Sequence, residues 1–157
     1  VFHIRSATQG DQSGIRELIR AVRINPTGLD WRRFVVALDD ADGLIGCGQV
    51  KPHRDGSREL SSVAVVEKWR GRGVARALID RLLAENDPPL WLTCRSSLAP
   101  LYKRFGFREV QNHERQPPYF RRLRRLAKAF KMLSTAEEHL AVMVWGDRSG
   151  DGASGQG

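Results

Sequence analysis

The segment AVVEKWRGRGVARALIDRLL at 64–83 runs from β-branched residues into Arg70-Gly71-Arg72-Gly73 and out into an apolar stripe with helical spacing. Glycines at 71 and 73 permit backbone angles that a side chain resists, and their missing Cβ atoms let phosphate oxygens approach the main-chain amides. A helix beginning at Val74 would point its unpaired N–H groups and positive dipole end at the same place. Arg70 and Arg72 add formal charge, so the turn suits a pyrophosphate; the plain alternative is a solvent-exposed basic turn. Neither GxxxxGK[ST] nor GxGxxG is present, so a nucleoside triphosphatase and a Rossmann-type dinucleotide domain are unsupported. Other reactive groupings are sparse. His3, His53, His113 and His139 show no HExxH and the cysteines no paired spacing, so no metal is predicted. Asp39, Asp40 and Asp42 lack the 12-residue calcium pattern and read as a turn. No Ser/His/Asp set is visible, and Cys94 has no histidine beside it in sequence, which disfavours a cysteine nucleophile.

The elements that must position the turn follow from periodicity. Residues 2–8 alternate as a strand, and Ile15, Leu18, Ile19 and Val22 recur at helical spacing until Asn25-Pro26-Thr27-Gly28 breaks the pattern. Leu29 to Trp31 reads as a short turn or irregular helix, and 34–38 and 44–50 as a hairpin about the turn DDADG. Polar 51–59 reads as a connection and β-branched 60–69 as a strand. Val74 to Leu83 is a helix ended by Asn86-Asp87-Pro88-Pro89; then come a strand at 91–94, a short helix through Tyr102 stopped by Gly106, and a strand at 107–110. A basic helix at about 117–134 carries Phe120, Leu123, Leu126, Phe130 and Leu133 on one side, with Ser134 or Thr135 capping the connection that follows. A strand at 140–145 and a flexible Gly-rich tail at 146–157 complete the chain. The order predicts one α/β domain over 1–145, with a largely antiparallel central sheet and flanking helices.

Composition bounds the partners. The 157 residues can fill a core without staples. The net charge of +8 attracts acidic surfaces without choosing among them. The chain has no 18-residue apolar run and no secretion signal at its start, so no membrane is expected and the cytoplasm is the default location. Cys47 and Cys94 are expected to be reduced, buried thiols.

The glycine turn resembles the acyl-CoA-binding motif of GNAT-type N-acyltransferases, written [Q/R]xxGx[G/A] and matched here by Arg70, Gly73 and Ala75 after the expected strand. LYKRFGF at 101–107 resembles the family's second signature, an aromatic helix residue before a Gly-Phe pair. The resemblance extends in element order from about Phe2 to Trp145 and is strongest over 60–107. It implies a GNAT-type fold and acetyl-CoA as donor cosubstrate, its pyrophosphate held by main-chain amides of Arg70, Gly71, Arg72, Gly73, Val74 and Ala75. It implies backbone contacts from Val63 and Val65 to pantetheine and the acyl carbonyl, with Val66 a one-residue register alternative. Tyr102 would protonate the departing thiolate, although a tyrosine that only packs helix against sheet is the bland reading. Glu59, or failing it Glu67, would deprotonate the amine, and His53 and Asp55 would shape its pocket or sit on the surface. Arg95 stands where the family often places Asn, so an Asn contact to pantetheine does not carry over.

The activity implied is transfer of an acetyl group to a primary amine by direct attack in a ternary complex. The acceptor would be an amine-bearing small molecule or protein; a homodimer is left open, as the basic helix has an apolar side to cover. Two other readings stand beside it: a non-catalytic basic module for nucleic acid or protein, and an acyl-CoA sensor. The absence of zinc-finger and RNP patterns argues against nucleic acid.

Overall fold

The computed structural model describes residues 1–129 and 137–146. The expected positions of Phe130 and Leu133, the Ser134 or Thr135 cap and the tail beyond Gly146 lie outside the described residues. The chain divides into two compact units, Val1–Pro52 with Glu59–Asp87, and His53–Arg58 with Pro88–Gly157.

The first unit contains β1 (Phe2–Ser6), α1 (Gln12–Ala21), β2 (Phe34–Asp39), β3 (Leu44–Pro52), all but the first residue of β4 (Arg58–Val65), and α2 (Val74–Glu85). Its strands lie in the order β1-β2-β3-β4, and β2 pairs antiparallel with both β1 and β3. Alternation along a strand sends successive side chains to opposite faces. Phe34, Val36, Leu38 and Cys47 therefore share one face and bury Ile15, Leu18 and Ile19 of α1. Each of those side chains contributes about 1.5–3 kcal/mol by leaving water. On the other face Gly46 and Gly48 let α2 approach closely. A Cβ on Gly46 would stand 3.0 Å from Val74 Cγ1 and 3.1 Å from Leu78 Cδ1, and one on Gly48 would stand 3.1 Å from Leu82 Cδ1. Before α1, the Thr8 amide and hydroxyl both donate to Asp11 Oδ2, at 2.7 and 3.0 Å, and Arg5 grips the same carboxylate at 2.7 Å.

Polar 51–59 is not the loop that its composition predicts. β3 runs to Pro52 and β4 starts at Arg58, so the turn shrinks to 53–57, closed by the His53 amide donating to the Ser57 carbonyl at 2.9 Å. Strand pairing uses the backbone, which polar side chains share with apolar ones.

The second unit holds β5 (Leu90–Arg95), α3 (Ala99–Lys103), β6 (Phe107–Glu109), α4 (Pro118–Ala129) and β7 (Leu140–Trp145). β7 lies between β5 and β6 and is antiparallel to both. Trp91, Val110, Phe120, Val142 and Val144 form its core cluster. On α4, Phe120 is fully buried while Leu126 is 52% exposed, against the expectation of one shared side. Six residues at about 100° each place Leu126 roughly 120° round the helix from Phe120, too far to share a face. The fold is thus mixed α/β, with a mostly antiparallel sheet and flanking helices, as the sequence predicts. Among the described residues no helix is long and apolar enough to cross a membrane.

Candidate active site

After β4 the chain makes a single 3-10 turn, Glu67–Trp69, and then two left-handed glycines, with φ of 74° at Gly71 and 83° at Gly73. A Cβ built on either meets nothing within 4 Å, so it is the backbone angle, and an open approach, that glycine supplies here. Gly73 is the N-cap of α2 and no side chain caps the helix. The first α2 hydrogen bond to the turn runs from the Ala77 amide to the Gly73 carbonyl. The amides of Val74, Ala75 and Arg76 thus precede the first intrahelical donor and remain for an anion. Val74 contributes only its main chain, because its side chain is packed into the core.

The arginines are held by their own neighbourhood. Arg70 Nε donates to the Val65 carbonyl at 3.3 Å, tying the turn to the end of β4 and leaving the outer guanidinium donors. Arg72 lies 5.0 Å over the Trp69 ring, which keeps its charge beside the turn.

Just after β4 the Val66 amide donates to the Ile45 carbonyl of β3 at 2.8 Å and the Val66 carbonyl accepts the Trp69 amide at 2.8 Å, so the main chain of Val66 is already engaged within the fold. Alternation then points the main-chain groups of Val65 and Val63 away from β3. Glu59 is buried on the same strand, whereas Glu67 is exposed on the 3-10 turn. Sequence reading passed over two polar residues of this unit, Gln49 and Ser62. Gln49 is completely buried, and Ser62 takes a φ of 57° inside a strand. A lone glutamine in the apolar run LIGCGQV was the only available signal.

In the second unit Tyr102 sits on α3 with its ring edge-on to Phe107, centroids 6.1 Å apart. Burial, and secondarily Cys94, raises its phenol above the ordinary value, so it holds its proton through neutral pH. Its hydroxyl has no hydrogen-bond partner among the described residues. Burial also pushes the Cys94 thiol up to about 11, which leaves almost no thiolate to act as a nucleophile. Cys47 is pushed up to about 12 for the same reason, and both cysteines are buried and unbridged.

His53 and Asp55 have structural duties. His53 stacks on Tyr119 with centroids 3.6 Å apart, and Asp55 Oδ2 accepts the Tyr119 amide at 2.9 Å, capping the first turn of α4 from outside. Desolvation raises the Asp55 carboxyl, but the Ser57 hydroxyl and the Tyr119 and Ser57 amides outweigh it and hold the group below its usual range. Arg95 faces Glu138 at 3.9 Å. Among the described residues no three His, Cys, Asp or Glu side chains cluster as metal ligands would.

A comparison with curated proteins found no match. Solved structures share the fold. Rv2747 from Mycobacterium tuberculosis, in complex with CoA, aligns with a TM-score of 0.66 at 20% identity over 91% of this chain and 98% of that one. ElaA from Escherichia coli gives 0.65 at 15% identity over 92% and 99%. N-acetylglutamate synthase from Neisseria gonorrhoeae, complexed with coenzyme A and N-acetyl-glutamate, gives 0.63 at 19% identity over 90% of this chain, which spans only 34% of that protein. At these identities the likeness concerns the fold. The family model described as acetyltransferase (GNAT) domain matches residues 30–109. That stretch takes in the left-handed glycines at the head of α2 and the helix of Tyr102, and over more than half its length the chain belongs to the GNAT acetyltransferase family.

Proposed function

We propose that the protein transfers an acetyl group from acetyl-CoA to a primary amine by direct attack in a ternary complex. The observation that carries this reading is the uncapped N-terminus of α2 behind two left-handed glycines with open space over both. A pyrophosphate fits there: no side chain intrudes, the first-turn amides are unused, and two arginines are anchored at the turn. The residues assigned to the donor are Arg70, Gly71, Arg72, Gly73, Val74 and Ala75, with the outward main chain of Val63 and Val65 receiving pantetheine and polarising the acyl carbonyl.

The chemistry then needs a neutral amine and a proton for sulfur. Glu59 is assigned to take a proton from the ammonium. The amine nitrogen attacks the thioester carbon, the C–S bond breaks with its electron pair on sulfur, and the Tyr102 phenol protonates that sulfur. A phenol raised above its ordinary value is still protonated when the thiolate leaves. Cys94 stays outside the reaction, since its thiol at about 11 is a poor nucleophile.

The first measurement is calorimetric titration of acetyl-CoA and CoA at two salt concentrations, with ATP as the anionic control. Saturable 1:1 binding that survives moderate salt and exceeds ATP binding supports the reading, and amine-dependent CoA release completes it. Binding without release across a broad amine set favours an acyl-CoA sensor. No binding by folded protein turns the weight to the basic-module reading.

A further inference from the structure

Among the described residues, Ser62 is the one residue inside a strand whose non-glycine backbone is left-handed, with φ of 57°; the other two such residues described, Arg23 and Asp42, lie at a helix end and in a turn. A side chain in that region is strained, and strain inside β4 persists only where surrounding contacts enforce it. The side chain of Ser62 is held by Gln49 on β3, which is 0% exposed. Its Nε2 donates to Ser62 Oγ at 2.9 Å and to the Gly28 carbonyl at 3.2 Å. The Gly28 carbonyl fixes which way the carboxamide points, because the reversed amide would set two oxygens against each other. That orientation leaves Gln49 Oε1 buried with no partner in the fold. The fold therefore tolerates an unsatisfied oxygen in order to keep an N–H on Ser62.

The consequence is chemical. Ser62 Oγ accepts from Gln49, so its own proton is directed elsewhere. The neighbouring Ser61 Oγ lies 3.4 Å away, a long contact in which either hydroxyl can donate, so Ser62 can still offer its proton to a closer acceptor. Ser62 is partly exposed. Lys51, two residues along β3 on the same face as Gln49, lays its side chain across the bare side of Gly28, with Nζ 3.4 Å from the Thr27 carbonyl. It makes no ion pair among the described residues. A hydroxyl and an ammonium thus border one corner, built from Gly28, Gln49, Lys51 and Ser62, none of which carries a carboxylate.

We propose that this corner recognises an oxygen of the acceptor, so that the acceptor is an amine bearing a nearby carboxylate or carbonyl, an amino acid or peptide end, and not a polyamine. Ser62 makes the contact and Gln49 is its positioning residue. The inference rests on the acyl-transfer reading.

The test compares wild type with Ser62→Gly, Ser62→Asn and Gln49→Leu, measuring acetyl-CoA affinity, melting temperature, and kcat and KM for a set of α-amino acids and for spermidine. Glycine adopts the left-handed angle without strain, so Ser62→Gly should melt at or above wild type and bind acetyl-CoA equally well. Its kcat/KM for amino acids should fall about ten- to hundredfold, the size of one lost hydrogen bond to a charged group. Ser62→Asn tolerates the same angle, carries its own N–H donors, and should recover part of the loss. Gln49→Leu, where it folds, should reproduce the Ser62→Gly loss. Wild-type kcat/KM in a folded Ser62→Gly variant, or a preference of the wild type for spermidine, overturns the inference while leaving acyl transfer standing. Acetyl-CoA binding with no wild-type turnover on any amine overturns acyl transfer, and this inference with it.

Discussion

Helices α2 and α4 are each 12 residues long, and arginines lie at or beside the start of both, yet only one N-terminus is open. At α2 the N-cap is a left-handed glycine with no side chain reaching back. At α4 the first-turn amide of Tyr119 is already taken by the Asp55 carboxylate. The cations differ in the same sense. Arg70 and Arg72 are pinned by Val65 and Trp69, whereas Arg122, Arg125 and Lys128 stand exposed along the flank of α4. Positive charge is common to both helices. An anion site additionally needs unspent amides and a backbone that clears the way to them.

The largest effect expected from breaking this contrast is at Gly73. Gly73→Asp keeps a residue that tolerates the left-handed angle but sets a negative charge on the amides. Acetyl-CoA affinity should fall about a hundredfold or more, with Gly73→Asn losing less; calorimetry on folded variants checks it. Next is Tyr102→Phe, for which donor affinity should hold and kcat should drop about a hundredfold. Because burial raises the phenol, the alkaline fall in kcat should lie above the ordinary tyrosine range and should vanish in the variant; a pH–rate profile shows both.

Opening the other helix should have a smaller and different result. Asp55→Ala removes the cap and should cost about 1 kcal/mol by denaturant unfolding. It should leave acetyl-CoA affinity unchanged, since α4 lacks left-handed glycines at its start. The smallest effect belongs to Asp11, whose carboxyl Arg5 holds below its ordinary 3.8. A depressed carboxylate stabilises the fold above its unfolded value and loses that contribution as pH falls through the folded one. Asp11→Asn should therefore cost less than about 1 kcal/mol at pH 7, the pair being partly exposed, and the difference should close as the pH drops past 3.8. Urea unfolding at pH 7 and pH 3 measures it.

Much of this was legible in the sequence because it depends on neighbours in the chain. Helix and strand periods placed α1, α2 and the β2–β3 hairpin, since amphipathic spacing reports which side of an element leaves water. The Arg-Gly-Arg-Gly turn announced itself through residue type alone, because few residues other than glycine take two left-handed angles so close together. The extension of β3 and β4 through polar 51–59 was hidden, as backbone pairing leaves no mark on side-chain polarity. So were the duties of His53 and Asp55, which depend on Tyr119 and Phe120 more than sixty residues away.

The chain by itself therefore determined the resemblance to the family, the glycine turn and most of the order of elements, because these depend on residues close together in sequence. Tertiary structure alone decided which helix ends stay open, that burial pushes the Cys94 thiol up to about 11, and that Gln49 reaches across to hydrogen-bond Ser62. Those outcomes depend on burial and on partners distant in sequence, and no pattern of neighbouring residues encodes either.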